Sequence, residues 1–266
     1  MIHMGIAVCI KWSLPPTEPD ERFSGVSLAD QAALESALVE SERTGLPLTV
    51  VTAGPAGADR VLREGLARGA AKAVRVELDL GSPSIDVARA LASVTRDAHH
   101  VWCGDYSADR GSGSVPALIA GMSSRGQALG LVAVSSEADA PDRVRAVRRL
   151  DGGRREELLI SGPAVLSVEG SVARLRRASL AGTLAADRAH IDVVSGHAKH
   201  VEPTPSRPFR PRARVVAAPV GSSALDRVRR VIDTSAGTGH GETVELEPAA
   251  AARRIVDALV EWGYLA

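Results

Sequence analysis

The 266 residues carry 32 acidic and 32 basic side chains, so no net field draws the chain to nucleic acid or to an anionic membrane. Aromatics are only 3% of a chain that is 45% hydrophobic, which leaves Ala, Val and Leu to build an interior of helices packed closely on a buried parallel sheet. No run approaches the ~20 apolar residues that span a bilayer and the start lacks a signal-peptide pattern, so a cytoplasmic protein without membrane insertion is expected.

Ile6-Ala-Val-Cys-Ile10 is a short apolar run closed by Lys11, the pattern of a strand buried on both faces. After a Pro-rich connection, Ser27 is placed to cap a helix through Leu28, Ala32, Leu34, Ala37 and Leu38 that stops at Gly45. The unit then repeats: strand 48–52, turn Gly54-Pro55, helix 58–67, strand 73–78, helix 84–95, strand 100–103, helix 114–122 and strand 129–134. Five strands alternating with helices through short connections predict a doubly wound α/β fold with a mainly parallel, Rossmann-like sheet.

The period then changes. Residues 143–148 and 156–160 flank Asp151-Gly152-Gly153 as an antiparallel hairpin would. Pro163 to Val168 reads as another strand, the basic segment Arg174 to Arg177 follows, and a helix runs to Arg188. Residues 195–219, rich in Pro, Arg, His and Ser, read as a linker or extended C-terminal arm, and apolar positions at helical spacing predict a last helix over 248–262, ended by Gly263. The domain boundary is placed between residues 1–190 and 191–266.

Ligands of such sheets bind outside the carboxyl ends of the strands, which singles out Cys9 to Trp12, Ser27 to Asp30, Ala53 to Pro55 and Gly104 to Pro116. The last segment packs three glycines and three serines between a strand and a helix. Backbone N–H groups in such a loop can approach a phosphate, helped by the helix N-terminus. The pattern is neither a Walker loop nor the three-glycine dinucleotide fingerprint, and on composition alone a flexible capped loop is the alternative. His190, His197 and His200 lack the Cys or carboxylate partners of a metal set, and Gly237 to Gly241 has no strand-to-helix frame. Cys103, followed closely by Asp105, has only His99 and His100 nearby, on the same strand, so a catalytic thiol is not expected. Trp12 reads equally as a stacking residue or a buried aromatic. With no triad, paired carboxylates or metal ligands, a carrier is favoured over a catalyst with its own substrate.

The quoted segments resemble the β subunits of electron transfer flavoproteins over about residues 5 to 188. Ile6 to Lys11 is similar to that family's opening strand, Ala33 to Leu38 to its first helix, and Thr49 to Pro55 with Leu62 to Ala70 to its second βα unit. Gly104-Asp-Tyr-Ser-Ala-Asp-Arg-Gly-Ser-Gly-Ser-Val115 follows the family's Gly-Arg/Lys-Gln-Ala-Ile-Asp-Asp-Asp-Thr-Gly-Gln-Val without a gap, keeping Gly104, Asp109, Gly113 and Val115. Asp151 to Gly153, Pro163-Ala-Val165 and Arg176 with Ala178-Ser-Leu180 extend the likeness.

The resemblance implies a heterodimer in which an α subunit holds most of an FAD site, while this chain binds AMP or a second FAD and receives electrons from a dehydrogenase. By residue match, Cys9, Ser27, Ala29, Asp30, Ala53, Gly104, Asp105, Ser107, Asp109, Gly111, Ser112, Gly113, Ser114 and Val115 would face the nucleotide. Arg176 and Leu180 would dock the partner. The sequence departs from the family where Ser27-Leu28-Ala29 replaces Asn-Pro-Phe, where Arg110 and Gly111 replace acids, and where Ala181 to Arg188 replaces a lysine-rich stretch. These departures point to a divergent branch such as the mycofactocin-associated one. Two alternatives stand beside this: a stand-alone adenine-nucleotide regulator of the stress-protein type, against which the hairpin and arm speak, and an adenylating enzyme, for which the residues after the first strand are a poor match.

Overall fold

The structure, a computed structural model, describes residues 5–14, 20–137, 140–198, 219–232 and 244–265. The chain divides into two units, residues 1–202 and 203–266. The first unit begins with four βα repeats: β1 (Gly5–Cys9), α1 (Leu28–Thr44), β2 (Leu48–Gly54), α2 (Asp59–Ala67), β3 (Lys72–Glu77), α3 (Ser84–Val94), β4 (Ala98–Gly104) and α4 (Ser114–Ser123). It continues with β5 (Gly126–Glu137), β6 (Ala140–Arg149), β7 (Arg155–Ser161), β8 (Ala164–Val168), α5 (Leu180–Arg188) and β9 (Asp192–Ser195).

The nine strands form one sheet in the order β7-β6-β5-β8-β4-β1-β2-β3-β9. Every pairing from β5 through β8, β4, β1, β2 and β3 to β9 is parallel, while β6 runs antiparallel to both β5 and β7. The predicted α/β class, parallel sheet and hairpin are therefore observed. What the sequence order does not disclose is that β8 inserts between β4 and β5. All five of its residues are buried there.

Period-two alternation divides the strand side chains between two cores. Ile6, Val8, Leu48, Val50 and Trp102 pack with Ala32, Ala33, Leu34, Ala37 and Leu38 of α1 and with Val61 and Leu62 of α2. Ala7, Cys9, Val51, Val101, Cys103 and Val165 meet Ala88 and Leu91 of α3 and Ile119 and Ala120 of α4. The α1 face also buries a polar trio, because Glu40 accepts from Trp102 Nε1 at 2.5 Å and pairs with His100 Nδ1 at 2.5 Å. Helix α1 has the ends its sequence announces: Ser27 accepts from Asp30 N at 3.0 Å, and Gly45 takes φ 71° so that its N–H reaches Ser41 O.

Two boundaries differ from expectation. Strand β5 is twelve residues long because Gly130, at φ 65°, shifts its register midway; its first half pairs with β8 and its second with β6. Strand β9 lies beyond residue 190 and extends the sheet in parallel along β3, so residues read as arm belong to the sheet. Of the two readings of Trp12 the buried aromatic is the one observed, its ring lying where a Cβ on Gly57 would come within 2.8 Å.

In the second unit, α6 (Ala224–Ile232), which had no counterpart in the sequence reading, is capped by Ser223, whose Oγ accepts from Asp226 N at 3.1 Å. Helix α7 (Pro248–Glu261) is the predicted last helix, with Pro at its start and Gly263 at φ 76° after its end. Neither helix buries a residue. Most of the predicted linker, with His200, and the Gly237 to Gly241 segment lie outside the described residues.

Candidate functional site

Strands β1 and β4 are neighbours although three helices and two strands separate them in sequence. Crossovers leave this pair on opposite sides, the switch point at which doubly wound sheets open a crevice. A cleft lies there. Cys9, Ala53, Cys103, Val87 and Leu91 give it an apolar floor, and its polar lining comes from Lys11, Asp30, Asp79, Ser82, Ser84, Ser107, Arg110, Ser112 and Ser114, together with backbone at Gly104 and Gly113.

The loop after β4 is shaped by two glycines. A Cβ on Gly104 would stand 2.5 Å from Asp30 Oδ1 and 2.7 Å from Asp30 N, so only glycine lets β4 end against the start of α1. Gly113 takes φ 58° with its Cβ position 2.3 Å from Asp105 O, and it caps α4 without a side-chain hydrogen bond. The leading N–H groups of α4, at Ser114 and Val115, thus have no side-chain cap where they meet the cleft, beside the Ser112 and Ser114 hydroxyls, which are 3.2 Å apart. Such an end attracts anions through its N–H groups and partial positive charge.

Two long-range ties hold the loop over the floor. Lys11 Nζ donates to both Asp109 carboxylate oxygens, at 2.7 and 2.6 Å. Burial acts to raise the Asp109 carboxyl, but Lys11 and a hydrogen bond from Ser107 outweigh it and hold the group below its ordinary value. Arg110 spans to the connection between β3 and α3, donating to Ser82 O at 3.1 Å and Leu80 O at 3.3 Å.

Beneath the loop, Asp30 is fully buried and accepts from Lys11 N at 3.1 Å and Gly104 N at 3.2 Å. Burial dominates these bonds and pushes its carboxyl up to about 7. Cys9 and Cys103 are register partners on β1 and β4 and are free thiols. The hydrogen bond with Cys9, burial, and the charges of Cys9 and Asp30 push the Cys103 thiol well up, the state of an inert structural cysteine. Burial, then the charge of Glu169, raises Asp105.

Of the residues singled out in the sequence, Cys9, Asp30, Ala53, Gly104, Ser107, Ser112, Gly113, Ser114 and Val115 line one cleft. The other five stand behind it. Ser27 caps α1 and donates to Tyr106 O at 3.3 Å; Ala29 lies buried against Gly104; Asp105 N donates to Val168 O; Asp109 holds Lys11; and Gly111, at φ 62°, closes a turn onto Ser107 O. Sequence reasoning missed the rim from Asp79 to Ser84, whereas Lys11 and Arg110 fall within segments it singled out without being named as site residues. A signal for the rim was available, since it too follows a strand and precedes a helix.

The pattern of the electron transfer flavoprotein domain matches residues 22–198, well over half of the chain. The chain belongs to the electron transfer flavoprotein family. It is 34% identical over 173 residues to electron transfer flavoprotein subunit beta of Methylophilus methylotrophus, a match covering 62% of this chain and 65% of that protein. Its likeness to protein FixA of Bradyrhizobium diazoefficiens is 30% over 224 residues and covers 77% of each. Electron transfer flavoprotein subunit beta of Mycobacterium tuberculosis (strain ATCC 25618 / H37Rv) is 32% identical over 178 residues, 62% of this chain and 65% of that protein.

Within this electron transfer flavoprotein fold, the two residues matched to partner docking are placed very differently. Arg176 turns onto α1, donating to Glu35 at 2.9 to 3.1 Å and to Glu42. Glu42 first and Glu35 second raise its guanidinium above the ordinary arginine value. Leu180 is 76% exposed at the start of α5. That helix sits on α2 through Gly182, whose Cβ would come within 2.4 Å of Ala67 O, and through Arg63, which donates to Ala186 O at 2.5 Å. His190 pairs with Asp192 at 3.1 Å, and the described residues contain no cluster of three or more metal-ligating side chains. No helix among them is long and apolar enough to cross a membrane.

Proposed function

We propose that this chain is the β subunit of a heterodimeric electron transfer flavoprotein and that its cleft binds the adenine nucleotide AMP. The carrying observation is the loop from Gly104 to Pro116, which turns the uncapped start of α4 toward a cleft at the sheet's switch point in a chain of this family. The apolar floor suits a purine, and the Gly113 backbone with Ser112 and Ser114 suits a 5′-phosphate. Lys11 acts through Asp109 by fixing the loop.

FAD, shared with an α subunit, enters by the resemblance. When bound it supplies the one- and two-electron chemistry, and this chain contributes orientation, a wall of the site and partner contacts, with no acid or base of its own. Leu180 is the residue offered to an electron-donating dehydrogenase, while Arg176 anchors the segment that leads to it. The second unit, whose helices bury nothing of their own, wraps the α subunit. The setting is cytoplasmic, where Cys9 and Cys103 stay reduced, and the altered docking segment fits the mycofactocin-associated branch.

Co-expression with the α subunit should yield a yellow heterodimer that releases AMP on denaturation. Gly113→Val should abolish AMP retention, since it places a branched side chain at φ 58° and against Asp105 O, while the circular dichroism spectrum stays unchanged. A colourless complex without nucleotide, or undiminished AMP in the variant, overturns the reading.

A further inference from the structure

The charge balance of the whole chain is not kept locally. Residues 203–232 carry seven arginines and one aspartate, and the remaining sequence is acidic by the same margin. This stretch ends in α6, which is nine residues long. At 3.6 residues per turn, Leu225, Val228, Val231 and Ile232 share one face of the helix, and Asp226, Arg227, Arg229 and Arg230 share the other. All four aliphatic side chains are more than half exposed. The one acid is committed to the helix start, where Asp226 accepts from the Ser222 and Ser223 hydroxyls at 3.2 and 2.8 Å. Three guanidiniums therefore stand beside an open aliphatic stripe.

Helix α7 differs in both respects. Its Arg253 and Arg254 are balanced by Asp257 and Glu261, and the exposed aromatics Trp262 and Tyr264 follow directly. Aromatic anchors on a neutral helix suit a protein contact, in which Leu and Val seldom carry the energy. An aliphatic stripe edged by excess arginine is the pattern of a helix that lies in the headgroup layer of an anionic bilayer, its apolar face against the acyl chains. A nucleic acid would answer the arginines and leave the stripe in water. Anionic lipid answers both, and the arginine excess upstream adds to the attraction through its field alone.

We infer that α6 is a peripheral anchor that lays Leu225, Val228, Val231 and Ile232 into the surface of an anionic lipid bilayer while Arg227, Arg229 and Arg230 meet lipid phosphates. The inference goes beyond the function proposed above and assigns the wrapping of the α subunit to α7. The helix lies on the bilayer and does not cross it.

Sedimentation of the full chain with lipid vesicles tests it. Phosphatidylcholine vesicles that contain phosphatidylglycerol should carry the chain down at low salt, and vesicles of phosphatidylcholine alone should not. Added salt should release it, because the attraction is screened. Each basic residue near an anionic surface is worth about fivefold in binding, so Arg229→Gln combined with Arg230→Gln should weaken it about 25-fold. Val228→Gln combined with Val231→Gln removes half of the apolar stripe and should weaken it about tenfold. Both pairs lie on a helix that buries nothing, so both variants should keep the parent circular dichroism spectrum.

Absence of sedimentation, equal sedimentation with phosphatidylcholine alone, or unchanged binding in either variant overturns the inference. So does binding to duplex DNA that falls with the arginine pair and not with the valine pair, which would mark a nucleic-acid surface. A lower yield of α subunit co-purified with either variant also overturns it, since α6 would then be a subunit contact.

Discussion

The two faces of the central sheet are made by the same strands and end up in opposite states. On the α1–α2 face, β1 presents Ile6 and Val8, followed by Ile10, and β4 presents His100 and Trp102. Leu34, Leu38 and Leu62 fill what remains. On the α3–α4 face the alternate positions are Ala7 and Cys9 on β1 and Val101 and Cys103 on β4, and Ala53 is the next-to-last residue of β2. Large side chains close one face. Small ones leave the other open at the carboxyl ends, where Gly104 and Gly113 bring the loop across. The cleft is therefore a consequence of residue size at alternate positions along three strands, and close packing elsewhere makes it a fixed feature.

The most severe way to break this asymmetry is to open the closed face. Leu62 is fully buried, so Leu62→Ala should cost about 3 kcal/mol through lost transfer energy and a residual cavity. Urea unfolding measures it, and a cost below ~1 kcal/mol would mean that the face is not tightly packed.

A sharper test makes the same kind of change on both faces. Ala33→Leu forces extra carbons against the α1 side of the sheet, where the residue is 0% exposed, and should cost about 2 kcal/mol. Cys9→Leu adds its carbons to the cleft floor and should cost less than ~1 kcal/mol while abolishing AMP binding in the same preparation. If the two variants lose equal stability, or if Cys9→Leu binds AMP normally, residue size does not explain the cleft.

The alternation behind this contrast was legible in the sequence, because Ile6 to Ile10 needs only a strand to sort its side chains. Ser27 and Gly45 announced α1 at both ends, and Gly104 and Gly113 announced the loop. What stayed hidden depends on contacts between distant segments. The Lys11–Asp109 pair joins residues 98 apart, and the tie between Arg176 and Glu35 joins residues 141 apart. Neither leaves a local pattern. Strand β8 was recognisable as a strand, yet its place between β4 and β5 is a matter of sheet order. Strand β9 has four exposed residues and hence no alternation to read. Arg110 stood out only as a departure from the family's acids, and its reach to the β3–α3 connection gives that departure a structural role.

Asp30 tests the boundary between the faces, since it starts on α1 and ends beneath the cleft. Its carboxyl is raised from 3.8 to about 7, with burial as the leading cause. The folded state therefore holds this proton more tightly than the unfolded chain does. Its contribution to stability is fully present below about pH 4 and is lost as pH rises through the folded value near 7. Across that window the loss approaches ~1 kcal/mol per pH unit. Asp30→Asn has no such proton, so its unfolding free energy, measured between pH 5 and 7, should be flatter than that of the parent chain by about that slope. The variant keeps one acceptor for the N–H groups of Lys11 and Gly104 and loses the other, which lowers its stability at every pH without changing the slope. Parallel pH profiles for the two proteins would show that water reaches this carboxylate and that the cleft floor is wetter than its apolar lining implies.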